Sequence, residues 1–510
     1  MRKLLSSAIC IALLLNGGSA IAAIPETAAQ KSVRDILDGA PLRTGVCGVL
    51  AVRLDGDTLV CINPSQKLVP ASNVKVITTG LALSTLGEDF RFETRIGYTG
   101  TVVDSTLVGN LYIIGGGDPT TASKFEKADR RDVLFSKWLT IIRKAGINSV
   151  DGMVIGDPRY LMGSTMECPG WLYEDIGSYY GASPLGLNFF ENEQTFMVTP
   201  GPSVGSAPYI SPRYPDTPWM QYAHTAVTSG KGSSNELLYE CTPFAPFGSV
   251  RGSFPIDRKG YTLEAANRFG AYTCAYLFCR YLSSKGVGVS GGHADVSPRG
   301  SIRRELGSPS DGAKAASVGD MVIIGSTFSP RLSDIVEQTN HQSDNFFAET
   351  LFKTMCVNQG GSCEYEDCRK AELVALKSMG LKPEGACRLY DGSGLSRKNY
   401  VSPSFFVSFL RRMAESPVAG TFKESLPQPG ELQTTMEFRL RLAPADLKSR
   451  IWMKSGSMDG VACLCGYIES SDGDPDHTVA FSVMTNNNPV HLHTVYSLID
   501  DIVAVIAAEN

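Results

Sequence analysis

The sequence predicts an α+β protein in which an antiparallel sheet lies between layers of helices. Three observations lead to this prediction. A hairpin pattern near the N-terminus runs directly into a helical pattern, the C-terminal part carries three strand-like stretches and a final amphipathic helix, and a long strand-rich interval separates the two ends. We therefore expect one domain formed by both ends of the chain and interrupted by inserted strand-rich domains.

The N-terminal hairpin is predicted at residues 45–63, where two apolar stretches flank Asp55-Gly56, a common turn pair. A helical pattern follows at 72–86. The middle of the chain predicts short strands at 92–103, 106–114 and 150–156, helices at 127–145 and 263–285, and a small β-rich module at 196–257. The C-terminal part predicts helices at 332–357, 366–379 and 490–508 and strands at 451–457, 462–470 and 477–485.

The first residues predict a secretory signal. Arg2 and Lys3 precede an apolar run at 8–15, and Ala20-Ile21-Ala22 forms a small-residue cleavage site, so residues 1–22 are predicted to be removed. An N-terminal membrane anchor is the alternative, but the apolar run is well short of the ~20 residues that span a bilayer. We expect a secreted or periplasmic protein without a stable membrane span.

The charge and the cysteine content indicate which kinds of partner, crosslink and metal site the chain can have. The net charge of −5 is spread along the chain, which argues against a nucleic-acid partner and against a basic lipid-binding run. Of the 13 cysteines, Cys10 lies in the predicted leader, and the even number that remains permits disulfides in an oxidising compartment. Four cysteines lie close together in the sequence: Cys356, Cys363, Cys368 and Cys387. Their spacing favours a local disulfide, but the sequence does not give the pairing. A zinc site is the weaker alternative there, because no C-x-x-C pairs with a second one.

Three short motifs occur in a fixed order: Ser72-Asn73-Val74-Lys75, Ser343-Asp344-Asn345 and Lys454-Ser455-Gly456-Ser457. Together they form the S-x-x-K, S-x-N and K-[ST]-G set of the penicillin-recognising serine enzymes. Each motif is weak alone, and S-x-N also occurs at 233–235. All three in the required order and in a fitting local context indicate a serine enzyme.

Further segments at 112–119, 171–175, 180–182 and 391–397 extend the pattern over nearly all of the mature chain. With the three motifs, they make the chain resemble the D-alanyl-D-alanine carboxypeptidase/endopeptidases, the class C low-molecular-mass penicillin-binding proteins. One departure is Asp459, where family members often carry a neutral polar residue.

The resemblance implies a penicillin-binding transpeptidase/β-lactamase-like fold with insertions. Roughly 200 residues more than a compact member needs separate the first two motifs, which is enough for one or two extra domains. The implied division is a catalytic domain at 23–90 and 307–510, an inserted domain at 91–195 and 258–306, and a nested β-rich domain at 196–257.

Ser72 is the expected nucleophile, and a serine hydroxyl needs an adjacent base. Lys75 stands one helical turn away on the same face and can take the proton when it is neutral. Burial and a nearby cation both favour the neutral form, and Lys454 can supply that cation. In isolation, Ser72 and Lys75 would be interpreted as a helix N-cap and a solvated lysine.

The other two motifs supply the remaining expected roles. Ser343 can relay the proton to the leaving amine, and Asn345 can hold the substrate backbone and orient Lys75. Without the other motifs, the two would be interpreted as an ordinary helix cap.

On the third motif, Ser455 and Lys454 can bind a terminal carboxylate, and Gly456 lets a substrate backbone approach closely. The backbone N–H groups of Ser457 and Ser72 would form an oxyanion hole.

The resemblance also implies two substrate contacts outside the motifs. Asp175 would meet the amino group of the diamino acid in the stem peptide, and Arg397 would contact a substrate carboxylate. An exposed loop acid is the alternative for Asp175. No metal or organic cofactor is needed.

The sequence thus predicts an exported serine DD-peptidase that acts on peptidoglycan stem peptides and is acylated by β-lactam antibiotics. It would cleave D-Ala-D-Ala as a carboxypeptidase, or D-Ala-diamino-acid crosslinks as an endopeptidase. A serine β-lactamase is one alternative, but no residue is identifiable as the base that positions a deacylating water. A non-catalytic wall-binding protein with this fold is another, and the intact motifs argue against it.

Overall fold

The computed structural model describes residues 27–39, 41–163, 167–296 and 316–510. The predicted leader at 1–22 and the predicted domain boundary at 306/307 lie outside these residues. Within the described ranges, no helix combines the length and apolar character needed to cross a membrane. The α-helices described there are α1 (Ala28–Leu37), α2 (Val74–Leu86), α3 (Arg131–Lys144), α4 (Tyr173–Ile176), α5 (Gly270–Ser284), α6 (Leu332–Gln342), α7 (Asn345–Asn358), α8 (Tyr365–Ser378), α9 (Pro403–Ala414), α10 (Ala419–Glu424), α11 (Ala445–Lys448) and α12 (Leu492–Glu509).

Both ends of the chain build one antiparallel sheet. Its strands are β1 (Val46–Arg53), β2 (Thr58–Ile62), β22 (Ile451–Met458), β23 (Val461–Ile468) and β24 (Val479–Asn486). Their order is β2-β1-β24-β23-β22, so β22 is an edge strand and the N-terminal hairpin pairs with the last strand. The predicted hairpin and C-terminal meander are both present.

Helices cover both faces of this sheet. Successive side chains of a strand point to opposite faces, and every residue of β23 is buried. Cys463 and Cys465 pack on the side of α2, whereas Ala462 and Leu464 pack on the side of α1 and α12. Helix α2 is buried around most of its circumference, as expected of a helix inside a core. The predicted α+β layering is confirmed.

The interval between α2 and α6 is rich in strands, as predicted. They are β3 (Glu93–Tyr98), β4 (Thr101–Val103), β5 (Thr106–Val108), β6 (Leu111–Ile114), β7 (Ser149–Asp151), β8 (Val154–Asp157), β9 (Glu193–Thr199), β10 (Tyr209–Tyr214), β11 (Gln221–His224), β12 (Val227–Ser229), β13 (Leu238–Cys241), β14 (Phe247–Arg251), β15 (Ser253–Pro255), β16 (Tyr261–Ala266), β17 (Gly288–Val289), β18 (His293–Asp295) and β19 (Val322–Phe328). They form sheets in the orders β18-β8-β6-β3-β19, β17-β7-β5-β4, β10-β9-β16, β11-β14-β13 and β12-β15. A separate pair joins β20 (Cys387–Arg388) to β21 (Tyr400–Val401).

Three predicted elements differ from the structure. The strands predicted at 92–103 and 106–114 each break in two at Gly100 and Gly109, where the backbones cross closely: a Cβ on Gly100 would lie 2.0 Å from the Val108 carbonyl oxygen. The helix predicted at 263–285 begins only at Gly270, because residues 261–266 pair with β9 as strand β16. Strand pairing overrides the local apolar pattern there.

Strand β19 lies beyond the predicted domain boundary, yet it pairs with β3 in the sheet of the inserted region. The chain therefore rejoins the helices that pack on the sheet β2-β1-β24-β23-β22 only after Phe328, at α6.

The described cysteines are free thiols, and no disulfide is formed in the predicted cluster. The Sγ atoms of Cys356 and Cys368 both face the Ser362 carbonyl oxygen, at 2.9 and 4.0 Å.

Candidate active site

The turn that carries Ser72 is clamped on two sides. Ser72 lies in a 3₁₀ turn that leads into α2, and the preceding Ala71 has a left-handed φ of +47°. A Cβ on Gly394 would lie 2.0 Å from the Ala71 carbonyl oxygen, and one on Gly456 would lie 2.5 Å from the Pro70 carbonyl oxygen. The sequence predicts that Gly456 lets a substrate backbone approach closely. In the structure, the missing side chain of Gly456 also makes room for the turn that carries Ser72.

Lys75 is fully buried beside Ser72. Its Nζ lies 3.1 Å from Ser72 Oγ, 2.6 Å from Asn345 Oδ1 and 2.6 Å from the Ser393 carbonyl oxygen. The first two motifs are thus in direct contact. Ser393 is a partner that the sequence analysis did not assign.

Burial lowers the pKa of Lys75 from 10.5 to about 8, and the charges of three nearby carboxylates oppose this shift. Those carboxylates belong to Asp344, Asp391 and Glu349. Burial also raises the pKa of Asp344 and brings that of Glu349 to about 7, which weakens their opposition. A neutral Lys75 is therefore accessible near neutral pH.

The partners of Lys75 fix the direction of its lone pair. A neutral amine has two N–H groups and one lone pair. Asn345 Nδ2 donates to the Tyr180 carbonyl oxygen at 2.9 Å, which turns Oδ1 of the same amide toward Lys75. Asn345 Oδ1 and the Ser393 carbonyl can only accept, so they take the two N–H groups. The lone pair is left facing the Ser72 hydroxyl, as a general base requires.

Ser343 and Lys454 form the second contact between motifs. Ser343 ends α6 in a left-handed conformation, with φ +57°, and its Oγ accepts from Lys454 Nζ at 2.8 Å. Burial and the charge of Lys75 hold the pKa of Lys454 well below its usual range. We expected Lys454 to be the cation that keeps Lys75 neutral. The structure gives burial that role, and the repulsion between the two ammonium groups acts on Lys454.

The third motif lies on the edge strand β22, whose outward backbone groups pair with no other strand among the residues that the structure describes. The Lys454 side chain and the Cα of Gly456 lie on the face of β22 toward α2. The side chains of Ser455 and Ser457 lie on the opposite face, which carries α12. The N–H of Met453 on the same strand points away from β23 and donates to the Pro427 carbonyl oxygen at 3.1 Å. Backbone groups of alternate residues point the same way, so the Ser457 N–H also points to the open edge of the sheet.

The loop at 391–397 positions one of the acceptors of Lys75. Buried Asp391 accepts hydrogen bonds from the backbone N–H groups of Gly394 and Ser396 at 3.0 and 2.6 Å, and from Trp171 Nε1 at 2.8 Å. Glu349 Oε1 accepts from the Ser393 N–H at 2.8 Å. The sequence signal for this loop was its glycine-rich segment, which carried the resemblance but indicated no contact with Lys75.

Asp175 and Arg397 lie in one polar cluster. Asp175 is part of α4 and accepts from the Tyr180 hydroxyl at 3.2 Å. Burial raises its pKa, and the nearby charge of Arg397 opposes the rise. Arg397 donates to the Asp459 carbonyl oxygen at 3.3 Å. Asp175 and Arg397, the two substrate contacts predicted from the sequence, thus lie near Tyr180, whose carbonyl oxygen orients Asn345.

The other S-x-N sequence, at 233–235, lies apart from this site. Ser233 is exposed, and its hydroxyl bonds to the Gly230 carbonyl at 2.7 Å within its own loop. In the part of the chain that the structure describes, no group of three His, Cys, Asp or Glu side chains could hold a metal ion.

Known proteins share this organisation. The profile of the D-Ala-D-Ala carboxypeptidase 3 (S13) family matches residues 29–508. A D-alanyl-D-alanine carboxypeptidase from Actinomadura sp. (strain R39) is 28% identical over 492 residues, which cover 95% of this chain and 85% of that protein. D-alanyl-D-alanine carboxypeptidase DacB from Haemophilus influenzae is 25% identical over 466 residues, covering 89% and 88%.

The fold has a solved counterpart. The crystal structure of penicillin binding protein 4 (dacB) from Haemophilus influenzae superposes with a TM-score of 0.76 at 22% sequence identity, over 94% of this chain and 98% of that one. The predicted fold class and the resemblance are both confirmed. The chain belongs to the D-Ala-D-Ala carboxypeptidase 3 (S13) family, the serine-type D-Ala-D-Ala carboxypeptidases.

Proposed function

We propose that Ser72 is the nucleophile of a DD-peptidase reaction on peptidoglycan stem peptides. The observation that carries the proposal is the contact of Ser72 with a buried Lys75 whose other two hydrogen bonds leave its lone pair facing the serine hydroxyl. Ser72 would attack the carbonyl carbon of the penultimate D-Ala while Lys75 takes its proton. The edge-strand N–H of Ser457 and the N–H of Ser72 would stabilise the oxyanion.

Collapse of the tetrahedral intermediate breaks the amide and requires a proton on the departing nitrogen. The proton that Lys75 took from Ser72 would pass to that nitrogen through the pair of Ser343 and Lys454, 2.8 Å apart, which leaves Lys75 neutral for the next step. The leaving amine departs, and the acyl group remains on Ser72 as an ester. Water then attacks the ester with Lys75 again as base, which releases the shortened peptide and restores the serine.

The substrate specificity that we propose has two parts. Asp175 and Arg397 would bind the diamino-acid side chain and a carboxylate of the acyl donor, because they lie together at the mouth of the site. The leaving group would be D-Ala, or the diamino acid of a second stem peptide. β-Lactams would acylate the same serine.

The surrounding assignments are also proposals. Residues 1–22 would direct export and be removed, so that the enzyme acts outside the cytoplasm. The proposed division keeps a catalytic domain at both ends of the chain, with the inserted domain and a nested β-rich domain between them. The pairing of β19 with β3 supports a return to the catalytic domain after Phe328 rather than at 307.

Labelling with a fluorescent penicillin tests the nucleophile. Ser72→Ala should lose the label and all release of D-Ala from stem peptides, because no other group can form the ester. Ser233→Ala removes the exposed serine of the second S-x-N sequence and should label like the wild type. A labelled tryptic peptide that lacks Ser72 would show that the assignment is wrong. Rapid, repeated turnover of benzylpenicillin would indicate a β-lactamase instead.

A further inference from the structure

The peptide group between Ser393 and Gly394 joins the base to a buried acid. Its carbonyl oxygen, on Ser393, accepts from Lys75 Nζ at 2.6 Å, and its N–H, on Gly394, donates to Asp391 Oδ1 at 3.0 Å. Lys75 Nζ in turn lies 3.1 Å from Ser72 Oγ. A continuous chain of hydrogen bonds therefore runs from the Asp391 carboxyl group to the nucleophile. The catalytic steps above give Asp391 no part in the reaction.

The contacts of Asp391 specify an ionised carboxylate. Besides the Gly394 N–H, Oδ1 accepts from Asn399 Nδ2 at 2.7 Å. Oδ2 accepts from the Ser396 N–H at 2.6 Å and from Trp171 Nε1 at 2.8 Å. Every partner of the two oxygens among the described residues is thus a donor, and a carboxylic proton would have no acceptor. Hydrogen bonds of this kind favour the charged form of an acid, even one as deeply buried as Asp391.

The other acids near Lys75 are poorer anions. Glu349 accepts from the Ser393 N–H, but burial raises its pKa to about 7. Burial also raises the pKa of Asp344 and holds that of Glu372 well above its usual range. Three cations face the same region from α7, α8 and β22: Lys353, Arg369 and Lys454. The Cys168 thiol and the Tyr365 hydroxyl lie beside the acids as well, and burial raises the pKa of both, which keeps them neutral.

The linking peptide is held in place on both sides. A Cβ on Gly394 would lie 2.0 Å from the Ala71 carbonyl oxygen, so the peptide lies directly against the turn that carries Ser72. The preceding peptide is fixed as well, because Thr78 Oγ1 donates to the Gly392 carbonyl oxygen at 2.7 Å. The distance between the carboxylate and the base is therefore set by the backbone.

A peptide in this position transmits charge. Hydrogen bonds in a chain polarise one another, so an N–H that donates to a carboxylate makes the carbonyl of the same peptide a stronger acceptor. When Lys75 takes the Ser72 proton it becomes an ammonium, which binds such a carbonyl more strongly than the neutral amine does. In serine triads a carboxylate stabilises the protonated base by direct contact. Here no proton moves along the chain, because Asp391 stays ionised and the Gly394 N–H keeps its hydrogen.

We propose that Asp391 is a positioning residue of the reaction, whose carboxylate acts through the Ser393–Gly394 peptide to strengthen Lys75 as the base for Ser72. The inference rests on the proposed function, since it gives Asp391 a part in the acylation of Ser72. It also gives the inserted region a part, because Trp171 from that region donates to the same carboxylate.

The pH profile of acylation tests this role. Asp391→Asn removes the charge and keeps an oxygen for the Gly394 N–H. Because Lys75 loses a neighbouring anion, the midpoint of the rising limb should move down by about 1 pH unit. The rate on the plateau should fall about tenfold or more, since the base is weaker. Stopped-flow mixing with a fluorescent penicillin between pH 6 and 10 measures both. Asp35→Asn, an exposed acid on α1, is the control and should change neither.

Trp171→Phe should shift the profile the other way. It removes the Nε1 donor but leaves the charge of Asp391, so the carboxylate is less neutralised by its hydrogen bonds and the midpoint should rise by a few tenths of a pH unit. Both variants disturb the same loop, so a purely structural role predicts lower rates without opposite shifts.

A midpoint in Asp391→Asn that equals that of the wild type would overturn the proposal, whatever the loss of rate, because the aspartate would then only hold the loop. If Asp391→Asn does not fold, Trp171→Phe decides, and an unchanged or lowered midpoint would overturn the proposal.

The two proposals fail in different ways. A wild-type protein that is acylated at Ser72 with a rising limb, and whose limb ignores Asp391, refutes the role of the aspartate and keeps the proposed function. A wild-type protein that takes up no penicillin and releases no D-Ala refutes the proposed function itself.

Discussion

Lys75 determines the pH at which the proposed nucleophile is competent. Burial brings its pKa to about 8, and only the neutral amine can take the Ser72 proton. The neutral fraction grows as the pH rises, so acylation by benzylpenicillin should increase with pH and level off above about 8. The same shift means that the unfolded chain binds more protons between about 8 and 10.5, so burial of Lys75 costs less stability as the pH rises through that window.

The first prediction uses Asn345→Asp. An acid at this position would place a charge on the 2.6 Å contact with Lys75 Nζ and favour the protonated amine. The rising limb of the acylation profile should move upward by about 1 to 3 pH units. Stopped-flow acylation between pH 6 and 10 measures this. Asn358→Asp, on the exposed end of the same helix, is the control. Identical midpoints in the two variants would remove Asn345 from contact with the base.

A second prediction at this scale concerns Asp175. Asp175→Ala should slow hydrolysis of peptides with a free diamino-acid amine about tenfold or more, since a partly desolvated ion pair is worth ~2–5 kcal/mol. Benzylpenicillin lacks that amine, so its acylation rate should hardly change. Glu174→Ala removes the neighbouring exposed acid of α4 and serves as the control. Equal losses on peptide and penicillin would mean that Asp175 supports the fold.

At the scale of elements, the turn at Ser72 depends on two glycine contacts from distant segments. Gly394 combines a left-handed φ of +85° with a Cβ position 2.0 Å from the Ala71 carbonyl oxygen. Gly385 has a similar φ of +75° but open space around it. The two positions therefore separate the cost of the backbone conformation from that of the clash.

Gly394→Ala should destabilise the protein by more than ~3 kcal/mol and reduce penicillin labelling. Gly385→Ala should cost only the ~1–2 kcal/mol of a left-handed alanine and leave labelling intact. Denaturant unfolding and labelling rates measure both. Similar unfolding free energies for the two variants would show that the loop at 391–397 shifts to accommodate the added methyl group. The contact between Gly394 and the turn at Ser72 would then not be rigid.

Local patterns were sufficient for the hairpin, for α2 and for the three C-terminal strands, because their apolar spacing matches their burial. They were not sufficient for Ser393, which contacts Lys75 through its backbone carbonyl, or for Tyr180, which orients Asn345 in the same way. Every residue has a backbone carbonyl, so the residue type does not show which carbonyl will contact the site. Nor could a pattern show that β16 would form as a strand, since its partners on β9 lie 63 (Tyr261 to Val198) to 73 (Ala266 to Glu193) residues earlier.

At the scale of the whole molecule, buried carboxylates link stability to pH. Burial raises the pKa of Glu349 to about 7, that of Glu193 to about 7 and that of Asp118 to about 6. Each group binds a proton more readily in the folded chain than in the unfolded one. The contribution of these three groups to stability is therefore greatest below the ordinary carboxyl pKa and is lost as the pH rises toward their raised values.

Glu349→Gln should flatten this dependence. The glutamine keeps an oxygen for the Ser393 N–H but does not titrate, so the fall in Tm between pH 5 and pH 8 should shrink by several degrees. Scanning calorimetry across that range measures it. Glu415→Gln, an exposed acid on the edge of α9, should leave the fall unchanged. A parallel curve for Glu349→Gln would mean that this acid stays ionised in the folded protein.

The order of strands in the central sheet determines when, during synthesis, the active site can form. Because β1 pairs with β24, the edge of the N-terminal hairpin stays uncovered until the last strand of the described chain has been synthesised. Contacts of such long range make folding slow. Ser72 and Lys75 emerge early, whereas Asn345, which contacts Lys75, and Lys454 on β22 emerge late. A nascent or truncated chain therefore holds the serine and its base without the rest of the site. The hydrolase is therefore expected to become active only after β22 has been synthesised and has paired with β23.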